Sequence, residues 1–271
     1  SDHLLRWFTD YLKDRSQVVV LKGTTSPVMP ITAGVPQGSI LGPLLFKIFV
    51  NNFGHNLSAE SFLFADDSSI LKHFTPSNLA VVVQEINVDL SKILFWANQW
   101  RIQFNKSKTV VMFFSQNGVV PENISIQFDS ASIVPISKHC HLGVTLSSDL
   151  KWSSHIDLTV RDCSRMIGLL KRQSRNLSFK ERCMFYLSVI RPKLEYGSLL
   201  YDSCTLFDSA KLDHLQRKAA IVCASACFRT DNKPLFEFLR WDTLGARRTV
   251  AKLCLFYQIV HGLAPKYLCD V

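Results

Sequence analysis

The chain has 271 residues, 47% of them hydrophobic and 20% charged, which excludes an intrinsically disordered chain and leaves room for about two domains of the usual ~100–200 residues. No apolar run reaches the ~18 residues of a membrane helix, since the longest, ILGPLLFKIFV, is broken by Gly42, Pro43 and Lys47. The net charge of +9 lies in one half: residues 151–271 hold 20 Lys and Arg against 11 Asp and Glu, whereas residues 1–150 hold 11 of each.

In chain order, LLRWFTDYLKDR (4–15) predicts a helix with Leu4, Trp7, Phe8 and Tyr11 on one face. SQVVVLKG (16–23) is β-branched and closes on a glycine, which suggests a strand. ITAGVPQGSILGPLLFKIFVNNF (31–53) begins as a Gly/Pro loop and becomes an apolar helix from about Pro43, a good first-turn residue. SFLFADDSSILKHF (61–74) predicts strand, turn, strand, with Asp66 and Asp67 at the tip. After Thr75-Pro76, apolar residues from Leu79 to Trp100 recur at helical spacing, predicting a long amphipathic helix packed on the strands to either side. Strand-like segments follow at 109–114, 124–128, 132–136 and 141–146, with a turn signal at Asn117-Gly118. From Trp152 the pattern becomes helical, over 153–175, 178–190, 208–228 and 245–261, so a domain boundary is expected near 147–152.

The start SDHLLRW has neither an initiator Met nor a signal-peptide layout, as expected for the interior of a longer protein. The eight cysteines form no Cys-x-x-Cys pair, and His139-Cys140-His141 has no obvious partner pair, so buried free thiols in a reducing compartment are expected rather than a zinc site. The basic half suggests a polyanion partner, with solvated helix faces as the plain alternative.

Asp66 and Asp67 stand in an apolar segment. Adjacent carboxylates repel, and a hard divalent cation would offset that repulsion; Mg²⁺ is usually held by one or two carboxylates plus substrate phosphates. Alternation along a strand would turn the two side chains to opposite faces unless the turn twists them. Taken alone, the pair reads first as a solvent-exposed Asp-Asp turn. Gly34, Gly38 and Gly42 in the upstream loop allow close backbone approach, and Gln37 offers a neutral donor and acceptor for a sugar or base edge. A rigid helix-entry loop would have the same residues.

Taken together, AGVPQGSILGPLLF, FADD, WANQWRIQFNKSKTVVMFF (96–114), HLGVTLSSDLKWSSHI (141–156), IRPKLEYGSLLYD (190–202) and LQRKAAIVC (215–223) resemble, in order and over nearly the whole chain, the reverse transcriptases of non-LTR (LINE-type) retrotransposons of the jockey-like group. The resemblance implies an α+β fold: a partial right-hand polymerase palm, with an antiparallel sheet and packed helices, over 1–150, and a helical thumb and C-terminal region over 151–271. It implies Mg²⁺ at Asp66 and Asp67, with Asp66 the more direct ligand, and Phe64 touching the primer end or the incoming nucleotide. Gln37 and Gly38 match the loop lining the template–nucleotide pocket. Asn105 and Lys108 match an Asn-x-x-Lys element whose lysine lies near the departing pyrophosphate; a solvated lysine is the alternative. Leu142 and Gly143 match the turn that grips the primer strand.

The implied activity is two-metal nucleotidyl transfer from deoxynucleoside triphosphates onto a DNA primer on an RNA template, in the nucleus when DNA is the target. Two departures are small: the family usually has Asp where this chain has Asn52, and commonly Tyr where it has His141. The larger one is that the fingers and the first catalytic aspartate are expected upstream of LLRWFTDYLKDR, and Asp2, Asp10 and Asp14 do not replace that aspartate. The expectation is therefore a polymerase segment inactive alone, with a non-catalytic element remnant or a co-opted nucleic-acid-binding protein as the alternative.

Overall fold

A computed structural model describes residues 2–115, 124–129 and 131–270. The Asn117-Gly118 turn signal lies outside the described residues. The chain forms two compact units, Ser1–Thr109 with Asn123–Val134, and Val110–Glu122 with Pro135–Val271.

The first unit opens with helix α1 (Asp2–Leu12), which buries none of its residues; Leu4, Leu5 and Trp7 are exposed. The predicted strand 16–23 is divided. β1 (Arg15–Gln17) pairs with β4 (Met29–Ile31), and between them β2 (Val20–Leu21) pairs with β3 (Thr24–Thr25) around the left-handed turn Lys22-Gly23. The ladder breaks where the Ser26 hydroxyl accepts from the Val19 N–H at 2.9 Å. Helix α2 (Gly42–Val50) follows with Pro43 in its first turn, where a missing N–H costs nothing. The predicted hairpin is β5 (Glu60–Phe64) and β6 (Asp67–Leu71).

Helix α3 (Leu79–Trp100) occupies the predicted span, buries Val82, Leu90, Ile93, Trp96 and Ala97, and packs on β7 (Ile126–Phe128), which pairs with β8 (Ala131–Ile133). Phe53 meets Trp96 edge-on at 5.3 Å between ring centres, and Phe104 meets Phe128 at 5.8 Å. Trp96 also donates its indole N–H to Asn52 Oδ1 at 2.9 Å. An aspartate would accept that bond equally well, so the Asn52 departure leaves this contact intact.

The second unit begins with residues 110–115, which form no strand. Isolated backbone bonds hold them instead: Ile136 N–H to the Val111 carbonyl and Ser115 N–H to the Ser148 carbonyl, each 2.9 Å. HLGVTL is likewise not one strand but the turn of a hairpin between β9 (Lys138–His141) and β10 (Val144–Ser147), reversed at Leu142-Gly143. β10 packs on helix α4 (Ser153–Gln173), which is why 135–150 belongs with the helices.

Helix α5 (Phe179–Phe185) starts at a reciprocal cap, Ser178 with Glu181. It passes through a π-helical turn (Tyr186–Ile190) into α6 (Arg191–Glu195). Pro192 cannot donate to the carbonyl four residues earlier, and the wider turn accommodates it. Then come α7 (Leu206–Ala224), α8 (Asn232–Leu239), α9 (Leu244–Val260) and α10 (Lys266–Cys269). The helical core joins Ile156, Cys163, Leu170, Tyr186, Leu194, Leu212, Ala219 and Leu235.

The described strands thus form five separate two-stranded antiparallel sheets rather than one palm sheet. The fold is a mixture of helices and small antiparallel sheets, which agrees with the α+β class expected from the sequence. All eight cysteines are free, but only Cys163 and Cys223 are buried, which corrects the expectation of buried thiols. Among the described residues no helix is long and apolar enough to cross a membrane.

Candidate active site

The Asp66–Asp67 pair is built by a two-residue hairpin loop. Phe64 and Asp67 are the last directly opposed pair, so their side chains share a face, and Ala65 and Asp66 form the reversal. Ala65 takes φ 51, a left-handed conformation that costs a residue with a Cβ about 1–2 kcal/mol. Because Asp66 is in the turn and not in the pleat, strand alternation does not force the two carboxylates apart. Both are exposed and accept no hydrogen bond or ion pair among the described residues. Phe64 is 65% exposed beside them.

The hairpin is anchored at its base by a residue that sequence reasoning did not single out. Asp89 of α3 is fully buried and accepts from the Ser58 N–H and the Ser58 hydroxyl at 2.8 Å each, from the Ala59 N–H at 2.9 Å, and from Lys92 Nζ at 3.1 Å. Burial pushes its pKa up, but the bonds from Ser58, Ala59 and Lys92 outweigh that and hold the carboxyl below its ordinary range. Lys72, following β6, reaches back to the Ser58 hydroxyl at 2.8 Å and pairs with Glu85 at 2.8 Å. Asp89 lies three positions after Ile86 and four before Ile93, on the apolar face of the predicted helix; an acid at that register is the signal that could have found it.

Gln37 and Gly38 form the centre of a turn over Pro36–Ser39. Gly38 takes φ 81, as the third residue of a type II turn must, and nothing lies within 4 Å of where a Cβ would stand. Ser39 closes the loop: its hydroxyl donates to the Pro36 carbonyl at 2.8 Å and accepts from the Gly42 N–H at 2.9 Å, leading into α2.

Asn105 spends its amide oxygen locally, accepting from the Ser107 N–H at 3.0 Å and the Ser107 hydroxyl at 2.7 Å, while its carbonyl accepts from the Lys108 N–H at 3.0 Å. It shapes the turn that presents Lys108, which is exposed and has no ion-pair partner among the described residues. Within the first unit the residues expected at the site fall into three exposed groups, Phe64/Asp66/Asp67, Gln37/Gly38 and Asn105/Lys108. No hydrogen bond or ion pair joins one group to another among the described residues. Leu142 and Gly143 belong to the second unit, at the β9–β10 turn. Among the described residues no cluster of three or more His, Cys, Asp or Glu could hold a metal ion.

Residues 2–187 match the family described as reverse transcriptase (RNA-dependent DNA polymerase). The chain is 26% identical over 221 residues to the probable RNA-directed DNA polymerase from transposon BS of Drosophila melanogaster, a match covering 77% of this chain and 24% of that protein. It is 27% identical over 221 residues to the RNA-directed DNA polymerase from mobile element jockey of the same fly, covering 77% and 24%. It is 23% identical over 231 residues to the Pol polyprotein from type-1 retrotransposable element R1 of Bradysia coprophila, covering 80% and 23%. The chain thus spans about a quarter of the length of these curated relatives. No solved structure matches it. With the family matched over more than half of its length, the chain belongs to the reverse transcriptases, and its relatives are the RNA-directed DNA polymerases of non-LTR retrotransposons.

Proposed function

We propose that this chain is the palm-and-thumb segment of an RNA-directed DNA polymerase that extends a DNA primer on an RNA template. The observation that carries this reading is the Asp66–Asp67 pair: two exposed carboxylates at a strained hairpin tip, without a hydrogen-bond or ion-pair partner among the described residues, with Phe64 on the face of Asp67.

The donor set fits one hard cation such as Mg²⁺, which takes one or two carboxylates and completes its shell with water and substrate phosphates. When bound, the cation supplies neutralisation of the triphosphate charge. Asp66 is the direct ligand and Asp67 the second. Phe64 lies against the primer end or the incoming sugar. Gly38 leaves the loop backbone open to the nucleotide, and Gln37 offers its amide to the pairing base or sugar. Lys108, aimed by the Asn105 turn, meets the charge growing on pyrophosphate. Leu142 and Gly143 contact the primer strand, and the basic residues of 151–271 track the phosphate backbone.

Two-metal chemistry needs more carboxylate than the pair provides, and no third acid joins it among the described residues. On this reading residues 1–271 bind a cation weakly and do not extend a primer unaided. The test is Mn²⁺ titration followed by paramagnetic broadening. Resonances of 64–68 should broaden first, and Asp66→Asn should abolish that selectivity. Broadening centred elsewhere, or unchanged in Asp66→Asn, contradicts the assignment.

A further inference from the structure

The β9–β10 turn is held by a residue to which the resemblance gives no role. Tyr196, in the loop after α6, donates its hydroxyl to the Leu142 carbonyl at 2.7 Å. Its ring lies against Gly143: a Cβ there would stand 3.0 Å from the ring's Cε1. Leu142 and Gly143 both take left-handed backbone, φ 47 and φ 80, the pattern of a tight two-residue hairpin reversal. The loop is itself tied down. Leu194 is buried and its carbonyl accepts from the Tyr201 hydroxyl, while Glu195 pairs with Arg247 of α9. From the other side, the Thr145 N–H donates to Nδ1 of buried His155 at 3.3 Å, fixing β10 to α4. Yet Tyr196 remains 53% exposed, so it is not there to fill the core.

We propose that Tyr196 is a positioning residue for the nucleic-acid strand: by tethering Leu142 and covering Gly143 it presets the turn in the shape that receives the primer. The inference rests on the reading of this turn as a primer contact. A reversal held by its own ladder alone must be ordered when the strand binds, and an ordering cost removed beforehand appears as affinity. The hydroxyl acts through the turn and touches no reacting atom. The segment matters because it links the helical core, through α6, to the exposed tip of a hairpin.

The test uses the 271-residue chain and a fluorescently labelled RNA–DNA primer–template duplex, with anisotropy at low salt and thermal melting of each variant. Tyr196→Phe keeps the ring and loses only the hydroxyl. Leu142→Glu keeps the backbone carbonyl and places a negative charge at the tip. Tyr196→Phe should weaken duplex binding about three- to ten-fold, the usual worth of one hydrogen bond, with no more than the fall of about a few degrees in melting temperature that losing one such bond brings. Leu142→Glu should weaken it as well. If Leu142→Glu weakens binding and Tyr196→Phe does not, or if Tyr196→Phe lowers only the melting temperature, the positioning role is overturned while the primer contact stands. If Tyr196→Phe weakens binding and Leu142→Glu does not, tyrosine acts elsewhere than through the turn, and the proposal is overturned. If neither changes binding, or the unaltered chain does not bind the duplex, the primer-contact reading fails, and the proposal with it.

Discussion

Asp89 accepts both the backbone N–H and the hydroxyl of Ser58, at 2.8 Å each, from a fully buried position in α3. Ser58 stands two residues before the strand that leads to Asp66. A carboxylate presented at the tip of a two-stranded hairpin is placed only as firmly as the hairpin's base, and this buried acid holds that base.

Asp89→Leu should therefore destabilise the first unit by about 3 kcal/mol or more, because it strands the Ser58 and Ala59 donors together. Asp89→Asn retains one acceptor oxygen and should cost less. The folded pKa of Asp89 is depressed, so its contribution is present above the unfolded carboxylate value of about 4 and is lost as pH falls through the lower folded value. Urea melts between pH 6 and 2.5 should show this loss below about pH 4 in the parent, and a shallower one in Asp89→Asn.

The second unit titrates in a different window. His155 is buried, accepts from Thr145 and is held below its ordinary pKa by burial. The folded state keeps it neutral while the unfolded chain takes up a proton below about pH 6.5. Its penalty is absent above that value and grows as pH falls, until the lowered folded pKa is reached. Thermal melts should drop between pH 7.5 and 5.5, and His155→Gln, which can still accept from Thr145, should flatten that slope. An identical slope in the variant counts against a neutral His155.

Ala65 and Gly38 should respond in opposite ways to glycine chemistry. Ala65→Gly relieves a left-handed alanine at φ 51 and should stabilise the hairpin by about 0.5–1 kcal/mol, net of the added unfolded-state entropy. Gly38→Val meets no neighbour but forces a β-branched residue to φ 81, so it should cost at least about 1–2 kcal/mol. In a longer, active polymerase it should also raise the KM for nucleotide steeply. Normal steady-state kinetics in a folded Gly38→Val enzyme would remove Gly38 from the nucleotide pocket.

The excess charge of 151–271 should make duplex binding by the chain strongly salt-dependent, each neutralised phosphate adding a log–log slope of roughly −0.7 to −0.9. Anisotropy titrations from low to moderate salt measure it, and a flat dependence argues that these cations are only solvated helix faces.

Where one element carried a strong local period, the sequence was sufficient. The apolar spacing predicts a helix over 79–100 and α3 spans Leu79–Trp100; the apolar run around two aspartates predicts a hairpin, and β5–β6 turns at Ala65-Asp66. HLGVTL looks like a single strand by composition, and only the left-handed pair Leu142-Gly143 divides it. The family motif had already marked those two as a turn. Residues 109–114 have strand composition, yet they form no strand, and bonds such as Ile136 N–H to the Val111 carbonyl hold them instead. Helix α8 is short, and its signals, Asp231 at the cap and Pro234 in the first turn, are easily taken for a loop. Asp89 to Ser58 and Tyr196 to Leu142 span 31 and 54 residues, so neither partner can be read in a local window, although the acid on the apolar face of α3 marks Asp89 itself.

The central claim is that Asp66 and Asp67 are metal-binding carboxylates of a polymerase centre that residues 1–271 do not complete alone. Template-directed incorporation of labelled deoxynucleotides onto a DNA primer annealed to RNA tests it, comparing the purified 271-residue chain with a longer protein that extends further toward the N-terminus. The account predicts no incorporation by the shorter chain, robust incorporation by the longer one, and its loss in Asp66→Asn. Incorporation by the 271-residue chain that disappears in Asp66→Asn would contradict the need for a further carboxylate, and incorporation by the longer protein that survives Asp66→Asn would contradict the site itself.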